Sequence, residues 1–232
     1  MASVESSRRD AMETSMVLSV LVANPKGGSG KSTLATNLAG YFANSGDKVM
    51  LGDVDRQQSS LHWLARRPPV LPSIHGWQVE PGEPAKPPKG TSVVVLDSPA
   101  GLHGKRLNSL ISRVDRILIP IQPSPFDMWA SEEFFHRLLE EKAIRKNKVF
   151  MAVVGMRVDP RTRSARELES FLQRHDVAVL SWLRDTQLYV QAAAQGLTLF
   201  DLPASKVARD RAAWQTIIEW LRPPAEEGWC DK

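Results

Sequence analysis

The segment NPKGGSGKST, residues 24–33, restricts the fold more than any other stretch of this 232-residue chain. It follows a short apolar run rich in β-branched residues at 17–23, and apolar residues at helical spacing follow it over 34–42. Gly46 is a typical residue to end that helix. The pattern predicts a buried strand, a glycine-rich loop and a helix in direct succession.

That succession is typical of a phosphate-binding loop. Glycines free the backbone so that its N–H groups can converge on an anion, and the helix N-terminus adds partial positive charge. Lys31 is expected to reach the β and γ phosphates, and the Ser32 hydroxyl is placed to bind Mg²⁺. The alternative is a simple glycine turn. The predicted nucleotide-binding residues are Gly27, Gly28, Ser29, Gly30, Lys31, Ser32 and Thr33.

Two further apolar runs end in carboxylates. Asp97 ends SVVVLD (92–97), and Asp53 and Asp55 end VMLGDVD (49–55). A bound metal and an attacking water both need carboxylates near the carboxyl edge of a parallel sheet. Asp97 is therefore predicted to hold Mg²⁺ directly or through water. The alternative for each carboxylate is an N-cap of the helix that follows.

Apolar runs at 116–122 and 149–156 alternate with helical patterns, and a weaker strand is predicted near residue 177. This alternation predicts a single doubly wound, mainly parallel α/β sheet with helices on both faces. The stretch from Arg66 to Gly90 holds seven prolines and is expected to be a surface connection. The predicted later helices span 130–144, 164–174, 186–195 and 205–222.

Composition restricts the class of protein. Residues 1–15 read as a flexible polar tail, 16–222 as one domain and 223–232 as an acidic tail. The only cysteine, Cys230, excludes a disulfide framework and any cysteine-based metal site, which suits a reducing cytoplasm. No apolar run approaches the roughly 18 residues of a membrane span. The net charge of +4 permits a polyanionic partner.

The motifs KGGSGKS with the preceding Lys26, GDVDRQQS, VVVLDSPAG and PIQPSPFD are, in order and spacing, similar to those of the deviant Walker A ATPases of the ParA/MinD type. The similarity covers residues 16–222. It implies the P-loop fold, Mg-dependent hydrolysis of ATP and an ATP-dependent homodimer. It also implies that Lys26, Lys31 and Asp55 are catalytic.

In that family the extra lysine crosses to the phosphates of the partner subunit, so Lys26 is expected to act in trans. Electrostatics agrees, because a second ammonium beside Lys31 in an empty site would suffer like-charge repulsion. A cation delivered only on dimerisation would stabilise transition-state charge, as an arginine finger does. The alternative is a solvated surface lysine.

The resemblance also assigns the acidic pair. Asp55 takes the position of the aspartate that orients the attacking water, and Asp53 lies where the first aspartate of the motif touches the switch and metal region. The predicted metal site therefore comprises Ser32, Asp97 and Asp53. Arg56 stands where the family usually has proline, and it could contact a phosphate, a partner carboxylate or solvent. Adenine contacts are expected around Met156, Arg157 and the region after Leu183.

In its short length and in the segments NPKGGSGKS and PSPFD, the chain most resembles the small ParA proteins of partition systems. Such proteins bind DNA non-specifically as ATP dimers and respond to a ParB-like or cargo-adaptor partner, which implies a nucleoid-associated protein in the cytoplasm. Phosphate contacts would make that affinity fall with salt. The candidate DNA-binding residues are Arg161, Arg163, Arg166, Arg174, Lys206, Arg209 and Arg211.

Two other functions remain open. MinD-type proteins end in a basic amphipathic helix on the membrane, whereas the pattern at 209–222 stops at two prolines before an acidic tail, which favours a core-packed closing helix without stable membrane association. The other is a nucleotide-gated binding module with little turnover. Metabolic P-loop enzymes of similar fold are a more distant alternative. They would not require a lysine at position 26, so they leave the presence of Lys26 unexplained.

Overall fold

The computed structural model describes residues 17–78 and 87–222. Its seven strands are β1 (Leu18–Val22), β2 (Val49–Asp53), β3 (Ile74–Gln78), β4 (Val93–Asp97), β5 (Arg116–Ile121), β6 (Phe150–Gly155) and β7 (Val179–Trp182). All neighbouring pairs are parallel, in the order β3-β2-β4-β1-β5-β6-β7.

Helices cover both faces of this sheet. One apolar core packs α1, α2 and α8 against one face, and a second packs α3, α4 and α6 against the other. This confirms the predicted doubly wound α/β fold. The helices are α1 (Lys31–Asn44), α2 (Ser59–Leu64), α3 (Gly104–Ile111), α4 (Pro125–Glu140), α5 (Lys142–Arg145), α6 (Arg163–Arg174), α7 (Gln187–Ala194) and α8 (Ala204–Leu221), with a 3₁₀ turn at Leu199–Asp201.

The central strands are apolar on both sides because both sides are covered. In β1, Val20 and Val22 belong to the first core, whereas Leu21 belongs to the second. β4 repeats this alternation with Val95 and Val94. A continuous apolar run therefore serves two cores at once.

The strand order reverses at β1, which lies between β4 and β5. Val22, at the carboxyl end of β1, is in register with Asp97 of β4 and with Leu118 of β5. In open α/β sheets ligands bind in the crevice beyond the carboxyl ends of the strands at such a switch point. The fold thus places residues 23–30 where a ligand site is expected.

The prediction that the stretch from Arg66 to Gly90 is only a surface connection was wrong for five residues. Ile74–Gln78 forms the edge strand β3, which pairs in parallel with β2. A Cβ on Gly76 would lie 2.8 Å from Leu64 Cδ2, so the glycine lets the edge strand approach α2 closely. The short helices α2 and α3 were also not predicted, since neither is long enough to show a clear helical period.

The closing helix α8 is packed into the core as predicted. Trp214, Ile217 and Leu221 are buried on one side of it. No helix within residues 17–78 and 87–222 has the length and apolarity that a membrane span requires. The predicted tails at 1–15 and 223–232, including Cys230, lie outside the described residues.

Candidate nucleotide-binding site

The loop between β1 and α1 has the backbone that a phosphate cradle needs. Gly28 and Gly30 have positive φ angles of 79° and 102°, and Gly30 directly precedes α1. A Cβ on Gly30 would lie 2.8 Å from Met156 Cε, so only glycine fits without displacing that side chain. Positive φ and close approach together explain why the loop carries glycines here. The loop and the first turn of α1 bring together all seven predicted nucleotide-binding residues.

Lys31 is buried inside this loop. Its Nζ donates a hydrogen bond of 2.8 Å to the carbonyl oxygen of Lys26, which holds the side chain against the loop. Burial lowers the pKa of Lys31, while the negative charges of Asp97 and Asp55 act in the opposite direction. The ammonium of Lys31 therefore lies within the electrostatic field of Asp97, the predicted metal ligand, and of Asp55, the predicted catalytic carboxylate.

Three buried oxygens around the loop lack a hydrogen-bond partner among the described residues: Ser29 Oγ, Ser98 Oγ and Asp97 Oδ1. Buried polar atoms are nearly always satisfied in native proteins, so a group of unsatisfied ones needs an explanation. A bound nucleotide with its metal ion would supply partners to these atoms. The residues present thus fit Mg²⁺ and a nucleotide phosphate.

Asp53 and Asp97 end adjacent strands and are in register with one another. The Ser60 hydroxyl donates to Asp97 Oδ2, while Oδ1 remains without a partner. Burial raises the pKa of Asp97 to about 6, with hydrogen bonds from Ser60 and Ser32 acting in the opposite direction. A buried carboxylate with an uncommitted oxygen beside Ser32 is well suited to a cation ligand.

In contrast to Asp97, Asp53 uses both carboxylate oxygens in hydrogen bonds to the backbone. Its Oδ1 accepts a hydrogen bond from Asp55 N (2.9 Å), and its Oδ2 accepts one from Ser60 N (2.9 Å). Burial raises the pKa of Asp53, and these backbone hydrogen bonds oppose the rise. The side chain thereby supports the start of α2 through a tertiary contact, since Gln58 and not Asp53 occupies the N-cap position of that helix. Of the two predicted metal carboxylates, Asp97 has the freer oxygen.

Asp55 lies just beyond the end of β2 and is half-buried. Its Oδ1 accepts a hydrogen bond of 3.0 Å from Gln57 N, so it shapes the turn that leads to α2. Arg56 is exposed and forms no ion pair with any residue of the described part of the chain. The predicted water-orienting carboxylate therefore borders the site on a short turn.

Lys26 has a partner that the sequence analysis did not single out. Its Nζ lies 2.7 Å from Asp127 Oδ2 and 5.6 Å from the centre of the Phe126 ring. The Lys26 side chain is 35% exposed, whereas that of Asp127 is 7% exposed. The only signal for Asp127 was its place in the PSPFD phrase, which carried the resemblance but no assigned role.

A cleft of about 380 Å³ adjoins the loop. Gly30 and Thr33 form its loop side, and Met156, Arg157 and Tyr189 are among the residues opposite. Thr186 lies in the segment after Leu183 that also lines the cleft. The structure thus brings the region predicted for adenine contacts next to the phosphate loop.

The candidate DNA-binding residues are not equivalent. Arg161 pairs with Asp159 at 2.8 Å, and Arg209 also lowers the pKa of Asp159, so these two arginines lie near one another. Arg163 pairs with Glu167 on the exposed side of α6. Arg166, Arg174 and Lys206 are exposed.

Arg211 departs from its predicted role. Its guanidinium donates to the carbonyl oxygens of Leu199, Phe200 and Leu202, so it holds the 3₁₀ turn against α8. A DNA contact would compete with three internal hydrogen bonds. We therefore remove Arg211 from the candidate DNA-binding residues.

Known proteins are similar to this chain in sequence and in fold. Residues 20–199 match the family described as the CobQ/CobB/MinD/ParA nucleotide binding domain. The chain is 33% identical over 219 residues to the maintenance of carboxysome distribution protein A of Halothiobacillus neapolitanus, covering 90% of this chain and 97% of that protein. It is 27% identical over 196 residues to the chromosome-partitioning ATPase Soj of Thermus thermophilus, covering 70% and 78%.

Among solved structures, a plasmid partition protein of Borrelia burgdorferi bound to AMPPNP superimposes with a TM-score of 0.64 at 16% identity, covering 88% of this chain and 99% of that chain. At that identity the likeness concerns the fold. The family match spans more than half of the sequence, and it agrees with the loop, the strand-end carboxylates and the switch-point location. The chain is a member of the ParA/MinD family of P-loop nucleotide-binding proteins, as its motifs predicted.

Proposed function

We propose that the protein is an ATPase that binds ATP with Mg²⁺, dimerises on binding it, and hydrolyses it to position a cargo. The loop N–H groups and Lys31 would hold the phosphates. Ser32 and Asp97 would hold Mg²⁺, which when bound neutralises charge on the phosphate oxygens. Asp55 would orient the attacking water. Family membership and the unsatisfied buried oxygens around the loop support this assignment.

One observation carries the proposal: the loop has two lysines in two different settings. Lys31 is buried within its own loop, whereas Lys26 is partly exposed and extends to the start of α4. A cation beside a phosphate site but outside its cradle is suited to a phosphate on another subunit. ATP bound in one subunit would then hold both subunits together.

The test is Lys26→Ala in the full chain. We expect the variant to bind ATP with unchanged affinity as a monomer, and to lose both ATP-dependent dimerisation and hydrolysis. Light scattering after size-exclusion chromatography with and without ATP measures the first, and steady-state phosphate release measures the second. Lys146→Ala is the matched control, because this exposed lysine precedes β6 at the opposite, amino edge of the sheet. Normal dimerisation and turnover of Lys26→Ala would contradict the proposal.

The cargo is proposed from the relatives. The relative from Halothiobacillus neapolitanus is named for the distribution of carboxysomes, and Soj for the partitioning of chromosomes. We propose a large assembly of either kind, a protein body or a DNA molecule, and a ParB-like or adaptor protein that stimulates hydrolysis. The ATP dimer would bind DNA non-specifically, so the protein would be cytoplasmic and associated with the nucleoid.

A membrane-associated function of the MinD kind is the second candidate. The apolar stripe of α8 argues against this helix as an anchor, because Trp214, Ile217 and Leu221 are already buried in the core. Pelleting with anionic vesicles in the presence of ATP separates the two functions. Phosphate release that stays near zero with and without DNA would instead support a nucleotide-gated binding module.

A further inference from the structure

We propose a transition-metal site, distinct from the nucleotide site, between the middle of α4 and the end of α6. Three side chains form it: Glu132, His136 and His175. Their ligand atoms all lie within 4.8 Å of one another. Two imidazoles and one carboxylate are a donor set that suits Zn²⁺ and its neighbours Co²⁺ and Ni²⁺.

The helices bring these donors together for simple reasons. Glu132 and His136 are four residues apart on α4, so they project from the same side of the helix. His175 is the C-cap residue that directly follows α6, and α6 packs against α4 in the same apolar core. The site therefore joins two helices that are far apart along the chain.

His175 is held in place, whereas the other two donors can adjust. Its ring centre lies 4.5 Å from that of Phe171, and its side chain is only 13% exposed. Glu132 and His136 are exposed. Donors bound to Zn²⁺ at about 2.0–2.2 Å lie roughly 3.4 Å apart in a tetrahedron, so donor atoms that are now within 4.8 Å of one another must approach by at most about 1.4 Å. Rotation of two exposed side chains supplies such a movement.

The three donors are not committed elsewhere. None of their side chains forms a hydrogen bond with a residue of the described ranges, and His175 Nε2 lies 3.7 Å from Glu132 Oε1 within the cluster. An open groove, lined among others by Glu132, His175 and Arg174, gives water access to the remaining coordination positions. Arg166 and Arg174 also face this groove and will weaken the attraction of a cation, so we expect micromolar affinity.

The test uses the tag-free full chain titrated with Zn²⁺, with Co²⁺ as a spectroscopic probe. We expect one ion per chain, a visible Co²⁺ absorption of a nitrogen-bound ion, and a rise in Tm with Zn²⁺. His136→Ala and Glu132→Gln should each weaken binding by at least about tenfold. His62→Ala and His75→Ala are matched controls, because these exposed histidines lie on α2 and β3 and should leave binding unchanged.

His175→Ala removes a ring that packs on Phe171, so its folding is checked by circular dichroism. If it does not fold, the exposed His136→Ala and Glu132→Gln variants decide the matter alone. Wild-type affinity in those two variants, or no stoichiometric ion in the wild type, would overturn the proposal. Both readouts are independent of ATP hydrolysis.

Discussion

At the residue scale, two aspartates show how the surroundings of a carboxyl group set its pKa. Asp97 is buried at the end of a central strand, and its pKa rises to about 6 because burial disfavours its charge. Asp159 lies on an exposed loop, and hydrogen bonds from Arg161 lower its pKa to about 2. One residue type therefore titrates in two different ranges of pH.

The raised pKa of Asp97 predicts a pH dependence of stability in the nucleotide-free protein. The Asp97 carboxyl group binds its proton more tightly in the folded state than in the unfolded chain. Protonation of Asp97 therefore stabilises the fold fully below about pH 4, and this stabilisation is lost as the pH rises to about 6. Asp97→Asn removes this loss and should raise the free energy of unfolding at pH 8 by up to about 3 kcal/mol, with little effect at pH 4. Urea unfolding at both pH values measures it.

Asp159→Asn is the control for this prediction, since Asp159 is exposed and its pKa is lowered. Asp159→Asn should not raise the free energy of unfolding above that of the wild type at pH 4 or at pH 8. A gain from Asp97→Asn that is equal at both pH values would instead indicate a packing effect.

Residues also show what the sequence could and could not reveal about the site. Lys31 was predicted because it lies in a strand-loop-helix pattern that has few other uses, and Asp97 was predicted because it ends an apolar run. Asp127 was missed because its contact with Lys26 joins residues 101 positions apart. A contact of that kind depends on how two elements pack, and a local sequence pattern does not predict it.

At the element scale, a buried ion pair joins α2 to the 3₁₀ turn. Arg67 lies just after α2 and donates two hydrogen bonds, of 2.9 and 3.0 Å, to Asp201. The two side chains are 4% and 0% exposed. Asn44 and Thr198 also donate to this carboxylate. The pair thus fixes the segment that leads into α8.

Arg67→Ala would leave the buried Asp201 charge partly uncompensated. We expect a loss of about 3 kcal/mol in the free energy of unfolding, measured by urea denaturation. Arg137→Ala is the matched control: it breaks an ion pair with Glu133 whose side chains are 49% and 73% exposed, so the loss should be below about 1 kcal/mol. Equal losses in the two variants would contradict the structural role of the buried pair.

Elements differ in how far sequence could predict them. The central strands were predicted because their apolar runs serve two cores, and α6 was predicted within one residue from its strong amphipathic period. β3 was missed because prolines surround it in the sequence. It is an edge strand, and pairing with its single neighbour β2 is what keeps it extended. Edge strands are specified mainly by tertiary pairing, which short sequence windows do not record.

At the scale of the whole molecule, the proposed DNA binding predicts a salt dependence. The ATP-bound dimer should lose affinity steeply with salt, because each phosphate contact releases counterions. Replacing Arg161 and Arg209 together by alanine should reduce the slope of log K against log salt by about two for each subunit that contacts DNA. Fluorescence anisotropy with a DNA duplex, from about 50 to 200 mM salt, measures it.

Arg145→Ala serves as the control, since this exposed arginine lies on α5 at the amino edge of the sheet. Its slope should equal that of the wild type. An unchanged slope in the double variant would remove these two arginines from the interface, and equal DNA binding without ATP would contradict binding by the ATP-bound dimer.

The internal hydrogen bond between Lys31 and the carbonyl oxygen of Lys26 bears on how a nucleotide would bind and dissociate. In the proposed function, the same ammonium would bind phosphate oxygens, so a bound nucleotide would replace this internal hydrogen bond. Release of the nucleotide would let Lys31 Nζ donate to its own loop again, and the ammonium would keep a hydrogen-bond partner at each stage.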